Sequence, residues 1–197
     1  VTQLAHTSMP RWALPGARRQ PDDATMSGDS TGTSYLLVGV GTASLRVLDA
    51  WATTLASQAH VEDVRILHAD DAAAAGEALV AALTLARVGV RVRLAGPVSA
   101  CLALRGSAVS TGVEDDELHV EPTGDDGFDV FCAHCRRLTW SPASIHDVTP
   151  CAGCRRDLVV YHHVSRRSGH VLGYMVDAEE RTEERAEERA GQHEVVA

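Results

Sequence analysis

The chain has no lysine and no asparagine; all 18 basic residues among its 197 are arginine. Against 27 acids they leave a net charge of −9. That balance excludes a general nucleic-acid binder, which needs clustered positive charge to neutralise phosphates. A run of about 18 apolar residues is also missing, so no membrane-spanning helix is expected. The start, with His6, Pro10, Arg11 and Pro15, has no apolar signal stretch, and the expected location is cytoplasmic. Aromatic residues make up only 4% of the chain. What is present, a 45% hydrophobic fraction, suffices for an ordinary core, and the length suits one or two domains.

Charge and composition divide the chain into four. Residues 1–33 are net neutral, rich in Pro, Ser, Thr and Gly, and read as a disordered arm. Within them, Ser8-Met9-Pro10-Arg11-Trp12 is either idle or a docking peptide that orders on a partner. Residues 34–123 carry net −5 and a regular apolar pattern. Residues 124–176 carry net +1 and hold four of the five cysteines, with Phe128, Phe131, Trp140, Tyr161 and Tyr174. Residues 177–197 repeat Glu-Glu-Arg every four positions without an apolar stripe, and read as a solvated charged tail.

The second segment alternates strands and helices. Tyr35 to Val40 is a continuous apolar run that suits a buried parallel strand. Leu45, Leu48, Ala52 and Leu55 follow at helical spacing, and Val64 to His68 is a second strand. Asp70 or Asp71 is placed to cap an alanine-rich helix with Leu79, Leu83 and Leu85 inward. Val90 to Ala95 is a third strand, a helix through Cys101, Leu102 and Leu104 follows, and Glu117 to Glu121 is a fourth strand. The fold class expected is α/β: a parallel sheet covered on both faces, followed by a small zinc ribbon.

The cysteines carry the strongest signal. Cys132-Ala-His-Cys135 and Cys151-Ala-Gly-Cys154 are two C-x2-C pairs with fifteen residues between them. Such pairs place four thiolates around one metal, here brought together by an intervening hairpin. Four sulfurs fill a tetrahedral shell, so the metal is structural, and a unit of about 50 residues needs that support. Zinc is the first choice and rubredoxin-like iron the second. The glycine that follows rubredoxin cysteine pairs is replaced by Arg136 and Arg155. Two disulfides are the third reading, disfavoured without a secretion signal. His134 and His146 are spare candidate ligands, and Cys101 reads as a small core residue.

Three pairs, Arg136-Arg137, Arg155-Arg156 and Arg166-Arg167, surround this unit. They either neutralise the chain's own acids or form a basic docking face, with Tyr161, His162 and His163 at its less charged centre. In the first unit, Gly39-Val-Gly41-Thr42-Ala43-Ser44 joins a strand to a helix, where backbone amides can hold a pyrophosphate. Gly39, Gly41 and Thr42, with Gly96 and Pro97, are candidate nucleotide contacts.

The Leu36 to Ser44 turn, Leu94-Ala95-Gly96-Pro97 and the strand Leu118-His119-Val120-Glu121 resemble the nicotinamide-binding module of ferredoxin reductases. Val40 stands where that module has glycine, and Ala95 where it has cysteine. No flavin-binding barrel precedes the turn, so the resemblance implies the fold more than hydride transfer. A second resemblance rests on Cys151-x-x-Cys154, on Tyr161-His-His-Val-Ser-Arg-Arg167 and on Gly173-Tyr174. These are similar to the small (DmmA-like) subunit of bacterial dimethylamine monooxygenase. That family implies an NAD(P)H- and oxygen-dependent complex that demethylates dimethylamine to methylamine and formaldehyde. Haem is then expected in a catalytic partner subunit, flavin and an iron–sulfur cluster in a reductase subunit, and zinc here. Two readings follow: a non-catalytic zinc-bearing subunit that docks the reductase and haem subunits, or a redox module that itself binds NAD(P) or iron.

Overall fold

A computed structural model describes residues 7–14, 31–124 and 126–177. The charged tail expected over 177–197 lies, apart from Asp177, outside the described residues, as does most of the arm.

The first unit is a four-stranded parallel sheet: β1 (Ser34–Val40), β2 (Asp63–Ala69), β3 (Val90–Pro97) and β4 (Leu118–Gly124), in the order β2-β1-β3-β4. The central strand β1 is apolar throughout because both its faces are covered. Leu36, Val38 and Val40 pack under α2 (Ala72–Leu83) and α3 (Val98–Ser110). Tyr35 and Leu37 pack under α1 (Leu45–Ala56) with Leu48, Trp51 and Leu55. Of the two candidate caps, Asp71 holds the start of α2, accepting from the Ala74 N–H at 2.9 Å. Leu79 is fully buried as expected, but Leu85 is 79% exposed. It lies past the end of α2, where helical spacing no longer applies. The edge strand β2 is only partly covered, and Ile66 faces outward.

The second unit is a five-stranded sheet, mixed in direction: β5 (Phe128–Cys132), β6 (Leu138–Ser141), β7 (Val148–Pro150), β8 (Asp157–Val164) and β9 (Val171–Met175), in the order β6-β5-β9-β8-β7. Alternation along β5 and β8 buries Phe128, Val130, Leu158, Val160 and Val164 on one face.

Helix α3 serves both units. Ala100, Leu104 and Ala108 face the first sheet, whereas Val98 and Leu102 enter the core of the second. Its apolar residues therefore run around the whole helix instead of along one stripe. Polar contacts join the same surfaces: Ser99 Oγ to Asp126 at 2.6 Å, and Arg105 and Arg166 both to Asp115, at 2.7 and 2.6 Å.

Residues 7–14 do not behave as an idle arm. Met9 and Ala13 are buried in the second unit's core, the latter completely. The Thr7 hydroxyl donates to the His162 carbonyl, and the Ser8 hydroxyl to the Val164 carbonyl at 3.1 Å. The partner on which this segment orders is the chain itself.

Candidate metal centre

Each cysteine pair is the turn of its own hairpin. β5 and β6 flank Cys132 to Arg137, and β7 and β8 flank Cys151 to Arg156. This corrects the expectation of a hairpin between the pairs: β6 and β7 lie at opposite edges of the sheet and do not pair with each other. The two turns repeat one hydrogen-bond pattern. Arg136 N–H donates to the Cys132 carbonyl and Cys132 N–H to the Arg137 carbonyl, each at 2.9 Å. Arg155 with Cys151, and Cys151 with Arg156, repeat both bonds at 2.9 Å. Arg136 and Arg155 are left-handed, with φ of 62° and 60°. The backbone bend for which the sequence lacked a glycine is therefore made by arginine, and the missing glycine no longer separates iron from zinc.

The sheet curls so that the two turns meet. All four sulfurs lie within 4.8 Å of one another, with Cys132 to Cys154 at 3.8 Å and Cys135 to Cys151 at 3.5 Å. A tetrahedral centre with metal–sulfur bonds of about 2.3 Å has sulfur–sulfur edges of about 3.8 Å, so the donor set fits such an ion. The thiols interact as a set. Burial opposes ionisation of Cys151, but N–H groups of Cys154 and Gly153 and the neighbouring thiols bring it down to about 6. Cys154 is pushed up to about 11, its bond from the Arg156 N–H outweighed by burial and by the other three sulfurs.

Two supporting residues carried no sequence signal. Thr139 Oγ1 accepts from the Ala152 N–H at 3.0 Å and stands 4.0 Å from Cys151 Sγ, tying β6 to the second turn. At Gly153 a β-carbon would fall 2.6 Å from Arg137 Cγ and 3.1 Å from Cys135 Sγ, so no side chain fits between the turns. Neither His134 nor His146 joins the sulfur group. His146 instead places Nε2 3.2 Å from Nδ1 of the buried His162. Cys101 is buried with its thiol pushed up to about 12, by burial and then by Asp126.

Two of the six arginines have partners within the chain. Arg166 is bound to Asp115, and Arg156 Nη1 lies 2.8 Å from Met175 Sδ. The rings of Tyr161, His162 and His163 do lie together, that of His162 being 4.1 Å from Tyr161 and 4.9 Å from His163. His162 goes inward, while Tyr161 stacks on His163 at 4.9 Å and meets Tyr174 edge-on at 5.2 Å.

At the first sheet, Gly39, Gly41 and Thr42 lie beside Gly96 and Pro97, at the C-terminal ends of neighbouring strands β1 and β3. Gly41 (φ 71°) turns the chain into a 3-10 turn, Thr42–Ser44, that leads into α1. Gly39 is needed for packing: a β-carbon there would fall 2.5 Å from Leu48 Cδ1. The Gly41 carbonyl is taken up by Ser44 Oγ at 2.7 Å and faces His68 Nε2 at 3.1 Å.

A family model described as the C-terminal domain of DmmA-like dimethylamine monooxygenase subunits matches residues 129–174. A protein of Ectopseudomonas mendocina (strain ymp), named heme-dependent oxidative N-demethylase delta subunit, is 34% identical over 127 residues, covering 62% of this chain and 71% of that protein. No solved structure matches the chain.

Proposed function

Because the chain belongs to the family of DmmA-like oxidative N-demethylase subunits, we propose that it is the metal-bearing, non-catalytic subunit of an amine-demethylating monooxygenase complex. In that complex it holds a reductase subunit and a haem-bearing subunit in place for electron transfer, and dimethylamine is the substrate. The observation that carries this reading is the four-sulfur cluster. Zinc held by Cys132, Cys135, Cys151 and Cys154 supplies a rigid cross-link between two hairpin turns, with no coordination position left for a substrate. Haem, flavin and iron–sulfur chemistry then belong to the partner subunits.

Reconstitution tests it. Omitting this chain should prevent the other subunits from forming a complex that oxidises dimethylamine with NAD(P)H, while the isolated haem subunit keeps its spectrum. Assembly and full turnover without the chain would refute the proposal. The second reading, a redox module, draws on the bend at Arg136 and Arg155, which suits iron equally well, and on the bend at Gly41. Metal analysis and the visible spectrum decide the first point: zinc gives a colourless protein, four-sulfur iron a red one. Titration with NAD(P)H decides the second, with micromolar affinity lost in Gly41→Val favouring the redox module.

A further inference from the structure

The strand that follows the first cysteine turn, β6, carries two exposed apolar side chains. Trp140 is 57% and Leu138 45% exposed, two positions apart on the edge strand β6, so they share a face. Cross-strand pairing extends that face inward: Leu138 lies beside Phe131, and Phe131 beside Leu172, both half-buried. Arginines flank it. Arg137 directly precedes Leu138 and packs against the second cysteine turn at Gly153. Arg136 and Arg155 project from the two bends. All three are exposed, and none makes an ion pair among the described residues.

We propose that this arginine-flanked Leu138–Trp140 face is the docking surface for a partner subunit that presents an apolar pocket bordered by carboxylates. The inference rests on the reading of the chain as an assembling subunit and assigns that role to one surface. Tryptophan and arginine are the side chains that most often dominate an interface. The metal-linked turns hold them in place, so little ordering entropy is lost on docking. A second copy is the poorer occupant, because two-fold pairing would bring two copies of the same arginine-bearing surface together. Arg166 and Arg167 are not included, since Arg166 is already engaged with Asp115.

The test uses the full chain and the separately purified reductase and haem-bearing subunits, with affinity measured at low and high salt. Trp140→Ala is expected to weaken binding at least tenfold. Arg136→Glu with Arg155→Glu is expected to do the same at low salt and to remove most of the salt dependence. Metal content and circular dichroism should match the parent in both variants, and Arg166→Glu should bind as the parent does. Parent-like binding by both face variants overturns the inference while leaving the assembly reading intact. A parent that binds no partner subunit overturns that reading, and this inference with it. A parent that dimerises in sedimentation, but not after Trp140→Ala, makes a second copy the occupant and also overturns it.

Discussion

Gly169 lies directly against the backbone of Leu102: a β-carbon on Gly169 would fall 2.2 Å from the Leu102 carbonyl oxygen. The contact is reciprocal along α3, where a β-carbon on Gly106 would fall 2.8 Å from the Arg167 carbonyl oxygen. Two backbones touch here, and neither yields as the end of a long side chain would. Gly169→Ala should therefore destabilise the chain by about 3 kcal/mol or more in urea unfolding. Gly112→Ala is the control. Its φ of +102° is also one that side chains rarely adopt, but its surroundings are open, so it should cost only about 1–2 kcal/mol.

Loss of the metal should be felt well beyond the second unit. Val98 and Leu102 of α3 share a core with Val130, Leu158 and Val171. From the sequence alone, a Cys→Ser change would unfold the C-terminal unit and spare the first. The shared helix changes that expectation. Cys132→Ser, or chelation of the parent, should lower the melting temperature in one transition that includes the first sheet. Trp51 fluorescence and far-ultraviolet circular dichroism should then move together; two separated transitions would contradict it.

Arg136 and Arg155 should prove more useful for their charge than for their backbone. Each occupies a left-handed bend that costs a non-glycine residue about 1–2 kcal/mol, partly offset by glycine's greater flexibility when unfolded. Arg136→Gly or Arg155→Gly should therefore raise stability by about 0.5–1 kcal/mol and tighten metal retention against a chelator. Docking should weaken in the same proteins.

His119 should make the fold sensitive to acid. It meets Trp51 edge-on at 5.5 Å, and burial, then the charge of Arg93, hold its pKa down to about 4. The sign follows from the unfolded value of about 6.5. Above that pH both states are neutral and stability is complete. Below it the unfolded chain gains a proton that the folded one refuses, so stability falls until about pH 4. The full loss is up to about 3 kcal/mol. His119→Gln should remove this part of the acid slope, and the His119 ring resonances in the parent should stay neutral down to about pH 4. Protonation of His119 near pH 6.5 would contradict the assignment.

The first sheet was legible because its signals are local. A continuous apolar run at Tyr35 to Val40, the strand pattern from Val90 to Ala95 and an acidic cap at Asp70 or Asp71 each act within a few residues, although the third strand runs on through Gly96 and Pro97. The sulfur ligands were legible for the same reason, since two short spacings define them. The path between them was not. A C-x2-C pair is itself a tight turn, and only the pairing of β5 with β6 and of β7 with β8 shows that each pair closes its own hairpin. Likewise the left-handed bends were hidden because the residue that advertises such a bend, glycine, is absent at Arg136 and Arg155. The partner of Arg166 stands 51 positions away at Asp115, beyond any periodicity. Met9 and Ala13 are too few to form a pattern, although both lie in a core.

The seat of residues 7–14 has a consequence for the order in which the chain can be made. Thr7 and Ser8 bond to carbonyls 155 and 156 positions downstream. On a ribosome these residues emerge at least 155 positions before the residues whose carbonyls they bond. The second core, which holds Met9 and Ala13 as well as residues of β8 and β9, closes only after β9 has been synthesised. Contacts so distant along the chain are slow to form. Until they form, the apolar side chains of β5 and β8 stand open to other nascent chains. Trp12, packed against that core, is placed to report the moment of closure, and its fluorescence should change in the slowest phase of refolding.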